Sequence, residues 1–394
     1  MPLDVQASAV EQETVLPSLP KLSPVRPHAD DVARVVDLLR GASRPLILAG
    51  RGAVRAGAGD VLQRLADRIG ALLATTAVAN GLFAGNPWCL GISGGFASPV
   101  AAELIHEADL VLAFGASLNM WTTRHGKLFN PEATIVQVDE EAEAIGLHHR
   151  VDLALLGDAR EVAVALLDKL ERSAVPVSSW REPGIQEAIR AGSWHGVPYE
   201  DASDGTTIDP RTLSITLDAI LPEERVVVTD SGHFMGFPAM YLRVPDARGF
   251  VFTQAFQSVG LGLATAIGAA VAMPDRLTVA ALGDGGALMG LSELETVTRL
   301  QLRMLIVVYN DAAYGAEVHH FKPTGVGLDL VRFPDVDFAP LARAVGMRAV
   351  TVRRVEDLDA VREWVAAGAQ GAMLVDAKVT PTVVAEWLEG AFGH

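Results

Sequence analysis

The sequence is poor in cysteine and in positive charge. Cys89 is the only cysteine among 394 residues, so no disulfide can form within the chain, and this usage favours a reducing compartment. Lysine and arginine together number 32 against 48 aspartate and glutamate residues, which gives a formal net charge of −16 at pH 7. A surface this acidic repels phosphate groups at long range, and we therefore expect neither nucleic acid nor membrane among the partners.

Long apolar runs are also missing. No apolar run reaches the roughly 18 residues of a membrane-spanning helix, and the first residues, MPLDVQASAVEQE, have neither the basic nor the apolar region of a signal peptide. We therefore expect a cytoplasmic protein. The chain is 50% hydrophobic and long enough to form two or three domains with sizeable cores.

Apolar β-type runs alternate with helical patterns over most of the chain. The predicted strands are 46–50, 72–78, 109–117 and 134–139 in the first half and 225–230, 278–284, 304–310 and 372–379 in the second. Strands that are apolar throughout and separated by helices are typical of parallel sheets covered on both faces. We therefore predict an α/β protein with two Rossmann-like, three-layer domains built on parallel sheets.

Composition indicates where the domains begin and end. Residues 1–29 are rich in proline and lack steady periodicity, which predicts an extended linker. The segment 173–205 is rich in turn formers and poor in periodic apolar residues, which predicts an interdomain connection. The predicted domains are therefore 30–172, a central domain, and 206–394, the domain that carries the motif described next.

The stretch 282–317 carries the residues that indicate chemistry. An apolar strand ends at GDGG (283–286), a helical pattern follows, and a second apolar strand ends at ND (310–311). A strand, a crossover helix and a parallel strand form a right-handed unit in nearly all cases, which puts both strand ends at one edge of the sheet. If the two strands are neighbours, they lie about 4.8 Å apart, so that Asp284 and Asp311 can share a Mg²⁺ ion.

Two glycines, Gly285 and Gly286, follow the first of these carboxylates. Because they lack side chains, main-chain amides could approach a diphosphate at the start of the following helix. The crevice at the strand ends is where open α/β sheets bind ligands. The residues alone leave two interpretations open, a metal–phosphate site and a glycine-rich turn with a purely structural role.

This segment resembles the motif of thiamine diphosphate (ThDP) enzymes, a Gly-Asp-Gly followed about two dozen residues later by a pair of asparagines, as in acetolactate synthases and benzoylformate decarboxylases. Asp311 follows Asp284 by 27 residues, and the next residues, AAYG, match the run after the asparagines in the decarboxylase branch. The resemblance implies that Mg²⁺ is bound by Asp284, Asp311 and the main-chain carbonyl of Ala313. Further cofactor contacts implied by the motif are Gly283, Gly285, Gly286, Tyr314 and Gly315.

One position departs from the family pattern, because Asp311 stands where the second asparagine is usual. Two carboxylates should hold Mg²⁺ more tightly than one, while repelling the diphosphate unless the metal binds first. We therefore expect ThDP binding to be unusually dependent on Mg²⁺.

The resemblance extends to both sides of the motif. The segments 229–234 and 256–270 are similar to a loop that contacts cofactor and substrate in relatives and to a helix-opening segment that supports the bent cofactor. The contacts implied are Ser231, Gly232, His233, the carbonyl of Gln257 at the aminopyrimidine and Val259 as an apolar prop. The first domain is similar to the central domain of the same family, so the likeness covers nearly all of the chain after about residue 30.

In this family, a glutamate from an N-terminal pyrimidine-binding domain activates ThDP. We expect that domain to be missing, because PLDVQ (2–6) resembles its last strand. Glu293, Glu295 and Glu317 lie in the other domain, and the first two are typical of a solvated helix face. The chain alone is therefore expected to be inactive, and to act either as a homo-oligomer or with a separate pyrimidine-binding subunit.

FAD or another dinucleotide is an alternative ligand, which would bind in the first domain. GRG (50–52) follows a strand and Asp139 ends a later one, but the third glycine of the dinucleotide fingerprint is missing. The segment 115–126 shows no clear counterpart of the flavin-contacting residues of acetohydroxyacid synthases. We therefore do not expect FAD.

Three histidines are candidate catalytic residues: His233 in the first cofactor loop, and His319 and His320 after the metal motif. Their ordinary pKa near neutrality suits proton transfer, whereas the alternative for each is a surface position without a role.

The family resemblance implies a 2-oxo acid substrate, ThDP and Mg²⁺. Carboligation of the acetolactate synthase type is the first functional prediction, and decarboxylation of the benzoylformate type is the second. A non-catalytic ThDP- or nucleotide-binding protein and a truncated gene product remain as alternatives.

Overall fold

A computed structural model describes residues 1–9, 18, 20, 23–256 and 258–389. Within these residues the strands form two six-stranded sheets, and every strand pair is parallel. Helices are interleaved between the strands of both sheets. The prediction of two Rossmann-like α/β domains is therefore confirmed.

The first sheet lies in the N-terminal half. Its strands are β1 (Pro45–Ala49), β2 (Leu72–Thr75), β3 (Cys89–Ile92), β4 (Leu110–Phe114), β5 (Thr134–Asp139) and β6 (Leu153–Leu156). Their spatial order is β3-β2-β1-β4-β5-β6. The helices of this half are α1 (Leu3–Ala7), α2 (Ala29–Gly41), α3 (Arg51–Arg55), α4 (Gly59–Ile69), α5 (Pro99–Glu107), α6 (Met120–Thr123), α7 (Ala159–Glu171) and α8 (Pro183–Ala191).

The second sheet lies in the C-terminal half. Its strands are β7 (Arg225–Thr229), β8 (Phe250–Phe252), β9 (Leu277–Gly283), β10 (Met304–Asn310), β11 (Arg348–Val352) and β12 (Ala372–Lys378). Their spatial order is β11-β12-β10-β9-β7-β8. The helices are α9 (Pro210–Ile220), α10 (Gly236–Tyr241), α11 (Gly262–Ala272), α12 (Asp284–Met289), α13 (Glu293–Arg299), α14 (Gly315–Phe321), α15 (Phe338–Ala344), α16 (Asp359–Ala366) and α17 (Glu386–Glu389).

Each sheet separates two apolar cores, one on each face. In β1, Ile47 packs into one core, whereas its neighbours Leu46 and Leu48 pack into the other. In β9, Val279 and Ala280 are divided between the two faces in the same way. Because successive side chains of a strand point to opposite faces, a strand buried on both faces needs the unbroken apolar runs seen in this sequence.

The structure differs from the sequence-based expectation at two elements. Leu3–Ala7, expected to be extended, is a short helix without a buried residue, and no strand pair of the described chain includes it. The helical pattern expected after GDGG (283–286) forms two helices, because α12 ends at Met289 with Gly290 as its C-cap and α13 begins at Glu293. The low helix propensity of glycine favours an end at this position.

The domain boundaries at 30, 172 and 206 stay predictions. Among the described residues, no helix combines the length and the apolar character that crossing a membrane requires.

Candidate cofactor site

A cleft of about 750 Å³ lies between the carboxyl edges of the two sheets. It is lined from the first half by residues near the strand ends, including Gly52, Ser117, Asp139 and Asp158, and from the second half by Ser231, Asp284, Asp311 and Val379. In the second sheet, β8 lies on one side of β7 and β9 on the other. Such a reversal of strand order opens a crevice at the carboxyl ends, and this is where sheets of this kind bind ligands.

Asp284 and Asp311 lie at the ends of two neighbouring strands. β9 and β10 pair in parallel with Gly283 beside Tyr309, so the chain leaves both strands at the same edge of the sheet. Both aspartates line the cleft, and Asp284 is only 2% exposed. The structure therefore brings together the two carboxylates that the motif predicts as neighbours.

The two carboxylate oxygens of Asp284 differ in their hydrogen bonding. Its Oδ1 accepts a hydrogen bond from the amide of Gly285 at 2.8 Å, whereas the buried Oδ2 has no hydrogen-bond partner among the described residues. Burial raises the pKa of Asp284 to about 6, against the opposing effect of the amides of Gly285, Ala312 and Ala313. An unpartnered, buried carboxylate oxygen is uncommon and fits a site for a cation.

Asp311 has the more strongly perturbed carboxylate of the two. Burial raises the pKa of Asp311 to about 7, and repulsion by the nearby charge of Asp284 adds to this effect. Within the described residues, no group of three or more His, Cys, Asp or Glu side chains is placed to hold a metal. A cation between these two carboxylates would therefore need main-chain, water or ligand oxygens to complete its shell, as Mg²⁺ sites usually do.

The loop after β10 adopts a defined backbone conformation. Ala312 has a left-handed φ of +57°, and Ala313, the third predicted metal ligand, lines the cleft. Ala313 also forms an isolated antiparallel bridge with Arg332, and the amide of Tyr314 donates to the carbonyl of Val331 at 2.8 Å. The predicted ligand loop is thus held from outside by the segment around residue 331.

The two glycines of the motif are required by packing within the protein. A Cβ atom on Gly285 would lie 2.4 Å from Cε1 of Tyr314, and one on Gly286 would lie 2.4 Å from Oδ2 of Asp230. The sequence suggested a different reason, namely room for main-chain amides to approach a diphosphate. Gly283, Gly285, Gly286, Tyr314 and Gly315 all line the cleft.

Asp230 does not line the cleft itself, but it supports two segments near it, and sequence reasoning missed this role. It is 1% exposed, and its carboxylate accepts hydrogen bonds from the amides of Ser231 at 2.8 Å and Gly260 at 3.0 Å. Burial raises the pKa of Asp230, and the backbone amides oppose that rise. The signal was an aspartate at the end of the apolar run 225–230, which marks the carboxyl edge of the sheet in the same way as Asp284.

His233 is the one candidate histidine that lines the cleft within the described part of the chain. Its Nε2 accepts a hydrogen bond from the amide of Ala385 at 2.8 Å, and its ring lies 4.4 Å from that of His319. Burial, with a smaller contribution from the nearby His319, lowers the pKa of His233 to about 3. His233 is therefore neutral at pH 7 with its proton on Nδ1, which differs from the near-neutral pKa expected from the sequence.

His319 and His320 lie on α14, outside the lining of the cleft. Burial lowers the pKa of His319, and the charge of Lys322 contributes to the effect. The Nε2 atom of His319 is buried without a hydrogen-bond partner among the described residues. The structure thus places His319 behind His233 and not beside a ligand in the cleft.

The remaining predicted contacts are distributed around the opening. Ser231, Gly232 and Val259 line the cleft, and Val259 is half-exposed there. Gln257, whose carbonyl was predicted to contact the aminopyrimidine, lies outside the described residues. Glu317 also lines the cleft.

An aromatic part of the cleft lining, formed by Phe96, Trp121 and Trp387, was not predicted. Trp387 packs edge-on against Phe96 and Trp121 of the first half, with ring centroids 6.1 and 6.4 Å away. Its Nε1 donates to the carbonyl of His233 at 3.0 Å. The C-terminal residues therefore join the histidine loop to the first domain, and the only sequence signal was the apolar character of the run 383–388.

Comparison with known proteins places both halves in one family. The segment 32–166 matches the model of the thiamine pyrophosphate enzyme central domain, and 230–377 matches that of the thiamine pyrophosphate enzyme C-terminal TPP binding domain. The chain is 29% identical over 356 residues to sulfoacetaldehyde acetyltransferase of Alcaligenes xylosoxydans xylosoxydans, covering 82% of this chain and 58% of the relative.

Two further relatives show the same pattern. Sulfoacetaldehyde acetyltransferase of Castellaniella defragrans is 31% identical over 349 residues, covering 82% of this chain and 57% of the relative. The acetolactate synthase large subunit of Porphyra purpurea is 27% identical over 403 residues, covering 96% of this chain and 65% of the relative. The chain spans less than two thirds of the length of these relatives. Its two matched regions show that the chain belongs to the thiamine pyrophosphate enzyme family.

Proposed function

We propose that this chain binds ThDP and Mg²⁺ and forms the cofactor-holding part of an enzyme that acts on 2-oxo acids, with carboligation of the acetolactate synthase type. The observation that carries the proposal is the pair of carboxylates at adjacent strand ends in the cleft, the buried Asp284 and the half-buried Asp311. The relative named acetolactate synthase large subunit supports this class of reaction.

The donor set suits a metal-bound diphosphate. The unpartnered Oδ2 of Asp284, the carboxylate of Asp311 and the carbonyl of Ala313 would supply three oxygen ligands. Diphosphate oxygens and water would complete an octahedral shell, and the cation would relieve the repulsion that raises the pKa of Asp311. When bound, ThDP supplies a nucleophilic thiazolium carbon, and the protein supplies binding, orientation and electrostatics.

Other side chains that line the cleft suit the rest of the cofactor and a small substrate. Val259 offers an apolar surface beside the carboxylates, on which the bent cofactor would rest. His233 presents a neutral ring, whose Nδ1 proton can be donated to an oxygen of a 2-oxo acid but is not released near pH 7. We therefore assign His233 to hydrogen bonding and not to proton shuttling.

Decarboxylation of the benzoylformate type is a second candidate. It is favoured by AAYG (312–315), which follows Asp311 and matches the decarboxylase branch. Both candidates use the same cofactor and metal, and both act on a 2-oxo acid.

We further propose that a pyrimidine-binding domain outside this chain supplies the activating glutamate. An apolar surface beside the cleft supports this partner. It consists of Phe256, Val259, Leu261, Leu288 and Met289, all of them exposed. The segment 259–261 packs against the segment 288–289, because a Cβ atom added to Gly260 would lie 2.8 Å from Cβ of Met289. A surface of this kind at the edge of a site is typical of a docking face.

The cofactor assignment is tested by calorimetry of the full chain with ThDP, with and without Mg²⁺. Asp284→Ala should abolish the Mg²⁺-dependent part of ThDP binding, because it removes a ligand and the buried oxygen that has no other partner. Asp168→Ala, an exposed aspartate on α7, is the matched control and should bind as the wild type does. Unchanged Mg²⁺-dependent affinity in Asp284→Ala would refute the assignment.

A further inference from the structure

A buried lysine lies just behind the predicted metal loop. Lys378, the last residue of β12, is 4% exposed. Its Nζ donates to Oδ1 of Asp335 at 2.5 Å and to the carbonyl of Val336 at 2.8 Å, and it lies 3.1 Å from Oδ2 of Asp376. These three acceptors match the three donors of an ammonium group, so Lys378 has no donor left for a ligand. Val379 and Thr380 line the cleft, whereas Lys378 does not.

This lysine is connected to the metal loop through Asp376 and Asn310. The amide nitrogen Nδ2 of Asn310 donates to Oδ1 of Asp376 at 2.9 Å, and the parallel pairing of β10 with β12 places Asn310 beside Lys378. On its other side, Oδ1 of Asn310 accepts a hydrogen bond from the amide of Ala312 at 3.3 Å. Ala312 is the residue with left-handed backbone between the two predicted ligands Asp311 and Ala313.

A second connection runs through the segment 331–336. Its end is held at Asp335 and Val336 by Lys378, while the amide of Phe333 donates to the carbonyl of Ala312 at 3.1 Å. Asn310 also donates to the carbonyl of Val336, at 2.9 Å. Together with the bond from Tyr314 to Val331, this places the ligand loop between two segments that are both connected to the cluster of Lys378, Asp376 and Asn310. Lys378 therefore supports the loop by two routes, through Asp376 and Asn310 in the sheet and through the segment that covers the loop.

Stability alone does not account for this arrangement. Asp376 is fully buried, and transferring a lysine and an aspartate from water to the interior carries a large desolvation penalty. Apolar residues of similar volume often stabilise a fold as well as a buried ion pair does. What apolar residues cannot do is donate to two different segments and to a carboxylate at once, and this ability fixes the position of the loop.

We infer that Lys378, acting with Asp376 through Asn310, is a positioning residue for the loop that carries Asp311 and Ala313. The inference rests on the proposed function, since it assigns to the cluster the task of shaping the Mg²⁺ site. Mg²⁺ demands nearly ideal octahedral geometry at short distances, whereas Ca²⁺ accepts varied geometry at longer distances. A misplaced loop should therefore lose affinity for Mg²⁺ more than affinity for Ca²⁺.

The experiment measures the dissociation constants of Mg²⁺ and Ca²⁺ by calorimetry in the presence of ThDP, using the full chain. Lys378→Met should weaken Mg²⁺ binding by about 10- to 100-fold, the usual range for partners of metal ligands, with a clearly smaller loss for Ca²⁺. Asp335→Asn is a milder variant, because the Asp335 side chain is 54% exposed, and it should shift the Mg²⁺ constant in the same direction. Lys169→Met, at an exposed lysine on α7, is the matched control.

The results separate this inference from the proposed function. A wild-type chain that binds neither ion with ThDP would refute the proposed function. A wild-type chain that binds Mg²⁺, together with an Asp335→Asn variant of unchanged Mg²⁺ affinity, would overturn the role of the cluster, whether or not Lys378→Met folds. Equal losses for Mg²⁺ and Ca²⁺ would also overturn it, because they would indicate a general weakening of the structure.

Discussion

At the scale of single residues, the carboxylate of Asp311 is the feature that departs from the family pattern. It is half-buried and lies near the buried Asp284, and both carboxylates have a raised pKa. Two like charges that lie close together repel each other strongly when little water screens them. A cation between them removes that repulsion, whereas a diphosphate without a cation increases it.

Asp311→Asn should therefore reduce the dependence of ThDP binding on Mg²⁺. At an effective dielectric constant of about 20, two charges about 4 Å apart interact by about 4 kcal/mol, so we expect the ratio of ThDP affinities with and without Mg²⁺ to fall at least about tenfold. Calorimetry in Mg²⁺ and in chelator gives this ratio. Asp168→Asn serves as the control, and an unchanged ratio in Asp311→Asn would show that the second carboxylate does not act on the diphosphate.

At the scale of secondary-structure elements, a buried ion pair connects α9 with β7. Asp218 in α9 forms an ion pair with Arg225 at the start of β7, and it also accepts hydrogen bonds from Arg243 at 2.7 Å and His195 at 3.2 Å. Burial raises the pKa of Asp218, but hydrogen bonds from His195 and Arg243 and the charge of Arg225 outweigh it, so the pKa lies below its ordinary value. The carboxylate is thus stabilised in its charged form.

The lowered pKa of Asp218 determines how the stability of the fold depends on pH. A carboxyl group whose pKa is lower in the folded state contributes stability above its unfolded pKa, about 3.9, and loses that contribution as the pH falls through the folded value. Asp218→Asn should lower the free energy of unfolding at pH 7 by about 3 kcal/mol, because Arg225 would remain buried without its counter-charge. Urea unfolding of both proteins should give a smaller difference below about pH 4. A difference that stays constant down to acid pH would contradict this account.

The interior strands can be predicted from the sequence, whereas the edge strands cannot. β3, β6, β8 and β11, which the apolar runs do not reveal, are the four edges of the two sheets. β6 alternates between buried and exposed residues, β11 is mostly half-buried, and β8 has three residues. An edge strand is paired on one side only and is often short, so its apolar pattern is weak.

The candidate site could also be predicted only in part from the sequence. Asp284 and Asp311 belong to one strand–helix–strand unit, and the handedness of that unit fixes their positions. The contact between Trp387 and His233 joins residues 154 positions apart, and Trp387 also reaches across to the first domain. No local pattern encodes such contacts, because they depend on how two separately formed sheets pack together.

At the scale of the whole molecule, the proposed partner domain should dock on the apolar surface formed by Phe256, Val259, Leu261, Leu288 and Met289. Met289→Lys should weaken the complex with a co-expressed pyrimidine-binding domain from the same genome by at least about tenfold, since burying a methionine side chain contributes about 1.5–3 kcal/mol. Val177→Lys is the matched control, because both side chains are 58% exposed. Co-purification and 2-oxo acid turnover of the complex provide the readout. A Met289→Lys complex as tight as that of the control would place the partner elsewhere.

The position of Trp387 has a mechanical consequence. Its indole ring touches Phe96 and Trp121 across the cleft while its nitrogen holds the backbone of His233. One side chain thus contacts both the first half of the chain and the loop of His233. A relative movement of the two halves would act on the backbone of His233 through this one tryptophan.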